Sequence, residues 1–372
     1  MDPPGPTSLE RNILDQVGRS VYGRPNPSAE LHSDDIDSVT GEIPNRVKQT
    51  LYNTKFMNVI RILASGLFTT VQDMGREGFG ALGVSASGAA DPVALRIGNR
   101  LVGNSEDAAA LEMTLLGGEF LFPGGGVAAL TGSDFGATLD GALVATWTST
   151  RIGAGQVLTL GPTRSGARCY LCLQGGIAVK PFLGSASTHV LSGLGGFEGR
   201  PLRKGDELPL GPVTGAFVRR TVAAAGLQRL TPRKRLRVTP GPQQDWFPED
   251  SQQRLYSSAY CVTEESNRMG LRLEGRPVAL RPERASGSMI TEGVSLGAIQ
   301  IPDAGQPIIL FVEQQTTGGY PKIANVISAD LSSVGQLRPR DEIRFERVSM
   351  ETAISAWKEQ EELLASVDLI VE

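Results

Sequence analysis

The chain has 372 residues, 40% of them hydrophobic and 20% charged, the balance of a soluble globular protein with room for two or three core-forming units. Forty-five glycines and 23 prolines without a collagen period point to many short strands joined by turns. A net charge of -4 argues against a nucleic-acid surface, and no signal peptide or apolar run of membrane length appears, so no membrane role is expected.

Residues 1–56 are rich in Pro, Ser, Asn and Asp and too poor in clustered apolar side chains to offset the entropy of ordering, which predicts a mobile leader. Asn12–Val17 could form a short helix on binding, and an upstream start codon chosen in error is a second explanation of the leader. Folded structure is expected from Met57. Next, Gly75–Gly88 feeds a helix with Asp91 as N-cap, Pro92 at its first position, Ala94, Ile97 and Leu101 on one face and Gly103 as its stop. A glycine-rich entry to a helix can hold an anion on backbone N–H groups. Gly78, Gly80 and Gly83 spell GxGxxG, but the helix starts too late for a dinucleotide fingerprint. Asp73 and Arg76 either orient a substrate or pair to brace this loop.

From Leu111 to about Leu210, alternating residues and regular turn signals predict an antiparallel sheet or barrel. Cys169 and Cys172 lie on a strand-like run, where residues three apart face opposite ways, so neither a zinc nor a redox pair is expected. With Cys261 they are too few for a disulfide framework, and a reduced, cytoplasmic setting follows. Only His32 and His189 exist, which rules out a three-histidine metal centre; His189 has no GxSxG elbow to serve and reads as a surface or half-buried side chain. The permissive loop Gly193–Gly199 is of a kind that covers a site or touches a partner.

A boundary is placed near residue 225, giving a first unit over 57–225, a second over 226–348 and a C-terminal helix and tail over 349–372. The second unit holds the apolar runs Ile308–Val312 and Ile323–Ile327, read as a hairpin around Thr316, Thr317, Gly318, Gly319, Tyr320 and Pro321. Paired glycines between β-branched runs suggest a backbone path that a Cβ would block, and the nearby hydroxyls with Lys322 suit recognition of a carbonyl, carboxylate or phosphate. The last helix is expected to pack Ile354, Trp357, Leu364 and Val367 against the body.

Taken in order, TTVQDMGREGF (69–79), GVSASGAADPVAL (83–95), GNRLVGN with AALE (98–112), GGFEGRPLRKGD (195–206), PGPQQDWF (240–247), SNRMGLRLEG (266–275), ITEGVSLGAIQIP (290–302) and QQTTGGYPKIANVISADL (314–331) carry a resemblance over about residues 57–367. The chain resembles the family called allophanate hydrolase subunit 2 or biotin-dependent carboxyltransferase, which includes the C subunit of bacterial 5-oxoprolinase. The resemblance implies a mainly β fold with a few helices and two cyclophilin-like β-barrel subdomains. It also implies a partner like allophanate hydrolase subunit 1 (the B subunit of 5-oxoprolinase), joined in 5-oxoprolinases by a lactam-utilisation protein (the A subunit). Such a complex opens 5-oxoproline to glutamate with ATP. In urea carboxylase, related domains move a carboxyl group from biotin to urea, and some family members antagonise a kinase inhibitor. No biotinyl-lysine motif or nucleotide loop is present, so no cofactor is expected on this chain alone: ATP would be used by the complex, or carboxybiotin supplied by another polypeptide.

For a lactam or amide substrate, the expected roles are Arg268 and Lys322 on negative charge, and Gln315, Thr316, Thr317, Gly318, Gly319 and Tyr320 on a carbonyl. Gln300 is assigned to an amide edge, Glu292 to a general base, and Asp73 and Arg76 to a second rank. Three positions depart from the family pattern. Asn267 replaces an aspartate and is expected to alter a hydrogen bond to Arg268, while Glu313 and Arg340 read as peripheral.

Overall fold

From Asn58 to Val222, alternating apolar residues build two sheets that face each other across one core. The computed structural model describes residues 58–213, 215–285 and 289–372, so the leader, the Asn12–Val17 segment and Met57 lie outside the described residues. One sheet runs in the order Glu207–Pro209 (β11), Val59–Ala64 (β1), Glu119–Phe122 (β4), Gln156–Thr159 (β9), Thr138–Leu139 (β6) and Ala142–Leu143 (β7). The other runs Phe68–Gln72 (β2), Ala110–Thr114 (β3), Arg168–Leu173 (β10), Gly126–Gly132 (β5) and Ser149–Ile152 (β8). Ile60, Ile62, Phe120 and Phe122 of the first meet Val71, Leu111, Met113 and Leu171 of the second. Each such burial contributes about 1.5–3 kcal/mol, enough to fix which face of a strand turns inward.

Strand β10 is buried on both sides. Cys169 and Leu171 enter the core between the sheets, while Tyr170 and Cys172 pack beneath the helix Pro92–Val102, so the two thiols face opposite ways. That helix begins where its capping residues place it: Asp91 Oδ1 accepts from Ala94 N at 3.0 Å, and Gly103 ends it with φ 80°.

The chain crosses to the second unit through the helix Ala224–Arg229. There Arg235–Pro240 (β13), Lys322–Val326 (β20), Ala298–Gln300 (β17), Ile308–Leu310 (β18), Gly270–Gly275 (β15), Tyr260–Val262 (β14) and Glu342–Arg347 (β21) form a closed barrel. The parallel pairing of β21 with β13 completes the ring, and Leu236, Val238, Leu273, Ile299, Ile309, Ile323 and Phe345 fill it. Hydrogen bonding thus closes the second unit, whereas the strands of the first remain two facing sheets.

Two expectations change here. The runs around 308–312 and 323–327 do not form a hairpin: β18 and β20 each pair with β17, which lies between them. The turn residues instead supply Thr317–Gly318 (β19), which pairs with Glu292–Gly293 (β16) as a separate two-stranded flap. In the helix Met350–Ala365 the buried residues are Ala353, Ala356 and Leu364, while Ile354 and Trp357 on the helix and Val367 beyond its end are exposed. Small residues let this helix approach the segment Ile327–Ala329 closely, which turns the bulkier side chains outward. Beyond it, Ile370–Val371 (β22) pairs with Thr221–Val222 (β12) and returns the chain end to the first unit.

Buried polar contacts join the units. Arg268 donates to Glu112 and, at 2.6 Å, to the Gly88 carbonyl; Ser85 Oγ donates to the Val312 carbonyl at 3.0 Å. Gln336 Nε2 reaches Asp91 Oδ2 at 2.7 Å and its Oε1 accepts from Ser133 Oγ. Among the described residues, no helix is long and apolar enough to cross a membrane.

Candidate functional site

The barrel places two donors side by side. Gln300 on β17 and Lys322 on β20 are partners across antiparallel strands, so their side chains share a face. Both are almost wholly buried, and neither Gln300 Nε2 nor Lys322 Nζ has a hydrogen-bond partner. Lys322 Nζ is instead ion-paired with Glu292 Oε1 at 2.6 Å. Gln243 sets up this pairing: its Nε2 donates to Glu292 Oε1 at 2.8 Å and its Oε1 accepts from Lys322 N at 3.1 Å.

The flap β16–β19 covers these donors. A Cβ on Gly318 would come within 2.8 Å of Gln300 Nε2 and 3.3 Å of Gln315 Nε2 and Val294, so a side chain there would displace the Gln300 amide. Gly319 is under no such constraint, since its nearest neighbour would be 3.4 Å away. Gln315 Nε2 donates to Gln300 Oε1 at 3.4 Å, Thr316 and Thr317 lie on the flap and the rim, and Tyr320 is exposed. On the far side of the flap, Val294 and Thr316 face Arg76, Ser85 and Ser87 across a cleft of about 280 Å³ between the two units.

Burial, charge and pairing revise several assignments. Glu292 is exposed on one side, and Lys322, with the Gln243 amide second, holds its carboxyl below the usual carboxylate range. A carboxylate held low is a poor proton acceptor near neutral pH, which argues against the general-base role. Arg268 is not available to a substrate anion: all three guanidinium nitrogens are spent on Glu313, Glu112 and Gly88. Burial alone would raise the Glu112 carboxyl, but Arg268, Arg168, the Tyr170 hydroxyl and the Ala90 amide together hold it low. Glu313 is therefore no peripheral residue; it is buried and lies 2.5 Å from Arg268 Nε. Asn267 bonds the backbone N–H of Met269 at 2.8 Å, not Arg268, and Arg340 holds a left-handed φ of 73°, which explains the preference for glycine there.

Asp73 and Arg76 do not pair directly; both brace the segment 182–188. Asp73 accepts from Ser185 Oγ, Ser187 Oγ and Ala186 N at 2.5–2.6 Å, and Arg76 donates to the carbonyls of Phe182 and Ser187. His189 is buried, accepts from Ser192 N at 3.2 Å and is pushed by burial toward its neutral form. The loop 193–199 packs on this same segment: a Cβ on Gly195 would strike the Ser187 carbonyl. Among the described residues no group of three His, Cys, Asp or Glu side chains could hold a metal.

A larger cavity, about 750 Å³, lies elsewhere, between Asp91, Arg237, Gln336 and the C-terminal helix. Several of its polar side chains are ion-paired, Lys234 and Arg338 to Asp341 and Arg237 to Asp330. Gln300 Nε2 and Lys322 Nζ are two of several buried groups without a hydrogen-bond partner, as is Arg76 Nη1 at the cleft; the two that share a face beneath the flap make the candidate site. Sequence reasoning misses Gln243 and Glu112, although each stands as a polar residue inside a family motif, PGPQQDWF and AALE.

The family model described as carboxyltransferase domain, subdomain A and B, matches residues 82–347. The chain is 41% identical over 305 residues to the 5-oxoprolinase C subunit of Escherichia coli (strain K12), covering 82% of this chain and 96% of that protein. It is 34% identical to the urea amidolyase of Saccharomyces cerevisiae over 83% of this chain and 18% of that protein. The crystal structure of the K. lactis urea amidolyase superposes with a TM-score of 0.78 at 31% identity, over 84% of this chain and 21% of that one. This chain belongs to the carboxyltransferase family built from subdomains A and B.

Proposed function

We propose that the chain is the C-type subunit of an ATP-dependent 5-oxoprolinase, contributing half of a site that opens the lactam of 5-oxoproline to glutamate. The observation that carries this reading is the pair of buried donors beneath Gly318, a Gln300 amide nitrogen with no hydrogen-bond partner and a Lys322 ammonium paired to the half-exposed Glu292. Lactam opening develops negative charge on a carbonyl oxygen, and preorganised donors in a water-poor site stabilise such charge by roughly 3–4 kcal/mol apiece. A match spanning 96% of the E. coli protein supports the choice of substrate. Lys322 and Gln300 would hold substrate oxygens, the Gly318 backbone would let the substrate approach, and Gln315 and Gln243 would orient the donors. ATP would be consumed by the complex, which would include partners of the B and A types. Co-expression of all three chains and an assay for ATP-dependent glutamate release tests the reading.

A second reading, carboxyl transfer from carboxybiotin to urea or a similar amide, is favoured by the likeness to the yeast urea amidolyases. Carboxybiotin, carried on another polypeptide, presents a carboxylate and a ureido oxygen, and the same two donors fit both groups. Urea-dependent turnover of carboxybiotin without glutamate release would favour it. A tight complex that turns over neither substrate would favour a regulatory role.

A further inference from the structure

Lys322 is an expensive residue to keep where it is. Its side chain is 3% exposed, and Glu292, its one counter-charge among the described residues, sits on a thin flap with 43% of its own side chain exposed. An ammonium carries three donors, and a buried cation with a single half-solvated partner is poorly compensated. Beside it, the Gln300 amide nitrogen is equally enclosed and unpartnered. Both donors thus lie beneath the flap, while Val294 and Thr316 of the same flap line the cleft toward the first unit. The pairings Glu292–Gly318 and Gly293–Thr317 and the Val294 N to Thr316 O bond hold its two short strands together.

From this arrangement we infer that Lys322 forms a carboxylate subsite beside the Gln300 amide, and that Glu292, held by Lys322 and Gln243, occupies it in the resting protein as a stand-in for the carboxylate of the substrate, leaving Gln300 Nε2 for the lactam carbonyl. The inference rests on the 5-oxoproline reading for the identity of the substrate, although not for the existence of the subsite. An incoming substrate exchanges its own carboxylate for that of Glu292, and the flap moves aside while Gln243 retains its hold on the Lys322 backbone. The exchange trades one carboxylate for another, so the buried ammonium stays compensated throughout. It also sets specificity: a neutral lactam or urea has nothing with which to displace Glu292.

Lysine labelling by an amine-reactive ester, read at Lys322 by peptide mass spectrometry on the co-expressed complex, tests this directly. Two probes are compared, 5-oxoproline and 2-pyrrolidinone, which is the same ring without the carboxylate. The expected result is that 5-oxoproline slows labelling of Lys322 and 2-pyrrolidinone does not. In Glu292→Gln, unprotected labelling should be faster, and half-protection should require about two- to fivefold less 5-oxoproline, the span of a modest ion pair removed from competition. Glu292→Asp, which keeps the charge on a shorter arm, should fall between the two. Equal protection by both probes, protection by neither, or weaker protection in Glu292→Gln would overturn the inference. Because labelling needs no turnover, a complex that releases no glutamate would count against the proposed reaction while leaving this subsite decided by the probes.

Discussion

Arg268 donates from Nη1 to Glu112, a carboxylate 156 residues earlier in the chain, so an arginine of the barrel completes the buried face of the first unit. Arg168 approaches the same carboxylate at 3.6 Å, and the Tyr170 hydroxyl donates to it at 2.6 Å. Glu112→Gln therefore leaves two guanidiniums buried with their shared counter-charge gone. The expected cost is about 3–5 kcal/mol in urea denaturation, the usual penalty for breaking one side of a buried pair.

The same carboxyl makes stability depend on pH. Its folded pKa lies below its unfolded one, so its contribution is fully present above the unfolded value of about 4.3 and is lost as pH falls through the folded value. Denaturation midpoints followed downward from pH 7 should fall more steeply below about pH 4.5 in the native protein than in Glu112→Gln. Parallel curves would remove Glu112 from the acid response.

Lys322→Met separates stability from activity. Replacing a poorly compensated buried ammonium by an apolar side chain of similar length is often neutral or stabilising. The melting temperature should hold or rise, while turnover of the complex should fall by roughly 10²-fold or more, as when a substrate-positioning contact is lost. A drop in both would make Lys322 a structural residue.

Gly318→Ala tests the close approach over Gln300. The new methyl would sit 2.8 Å from Gln300 Nε2 on a two-residue strand at the barrel rim, where the fold itself has little at stake. Circular dichroism and melting should stay near those of the native protein, and kcat/KM should fall by about tenfold to a hundredfold through displacement of the amide.

Much of this was readable from sequence where the cause is local. The helix at Pro92 follows from a cap, a first-turn proline and a terminal glycine, all within a few residues of its ends. The opposed thiols follow from strand periodicity alone. What failed depends on chain brought in from elsewhere. The runs around 308 and 323 look like a hairpin until β17, from earlier in the sequence, inserts between them. Glu313 looks peripheral until the other unit delivers Gly88 and Glu112 to the same guanidinium. Ile354 and Trp357 promise a buried stripe by size, but the helix packs through Ala353 and Ala356, a choice set by how closely two backbones can approach. Within the site, Lys322 and Gln300 were legible as polar residues in apolar runs; that Glu292 would be the ion-pair partner of Lys322 was not.

The thiols provide a check on the fold that is independent of function. Cys169 and Cys172 are buried and burial pushes both well up, whereas Cys261 is exposed. A disulfide-exchange reagent should titrate one of the three thiols in the native protein and all three after denaturation. Rapid reaction of a second native thiol would contradict the packing of β10.

The most direct measurement is turnover by the co-expressed complex, offered 5-oxoproline or urea under the same conditions, with native chain and with Lys322→Met. The expected result is ATP-dependent glutamate release from 5-oxoproline that collapses in the variant, with no consumption of urea. Glutamate release that survives the loss of Lys322, or turnover of urea in its place, would contradict the assignment of this site to lactam opening.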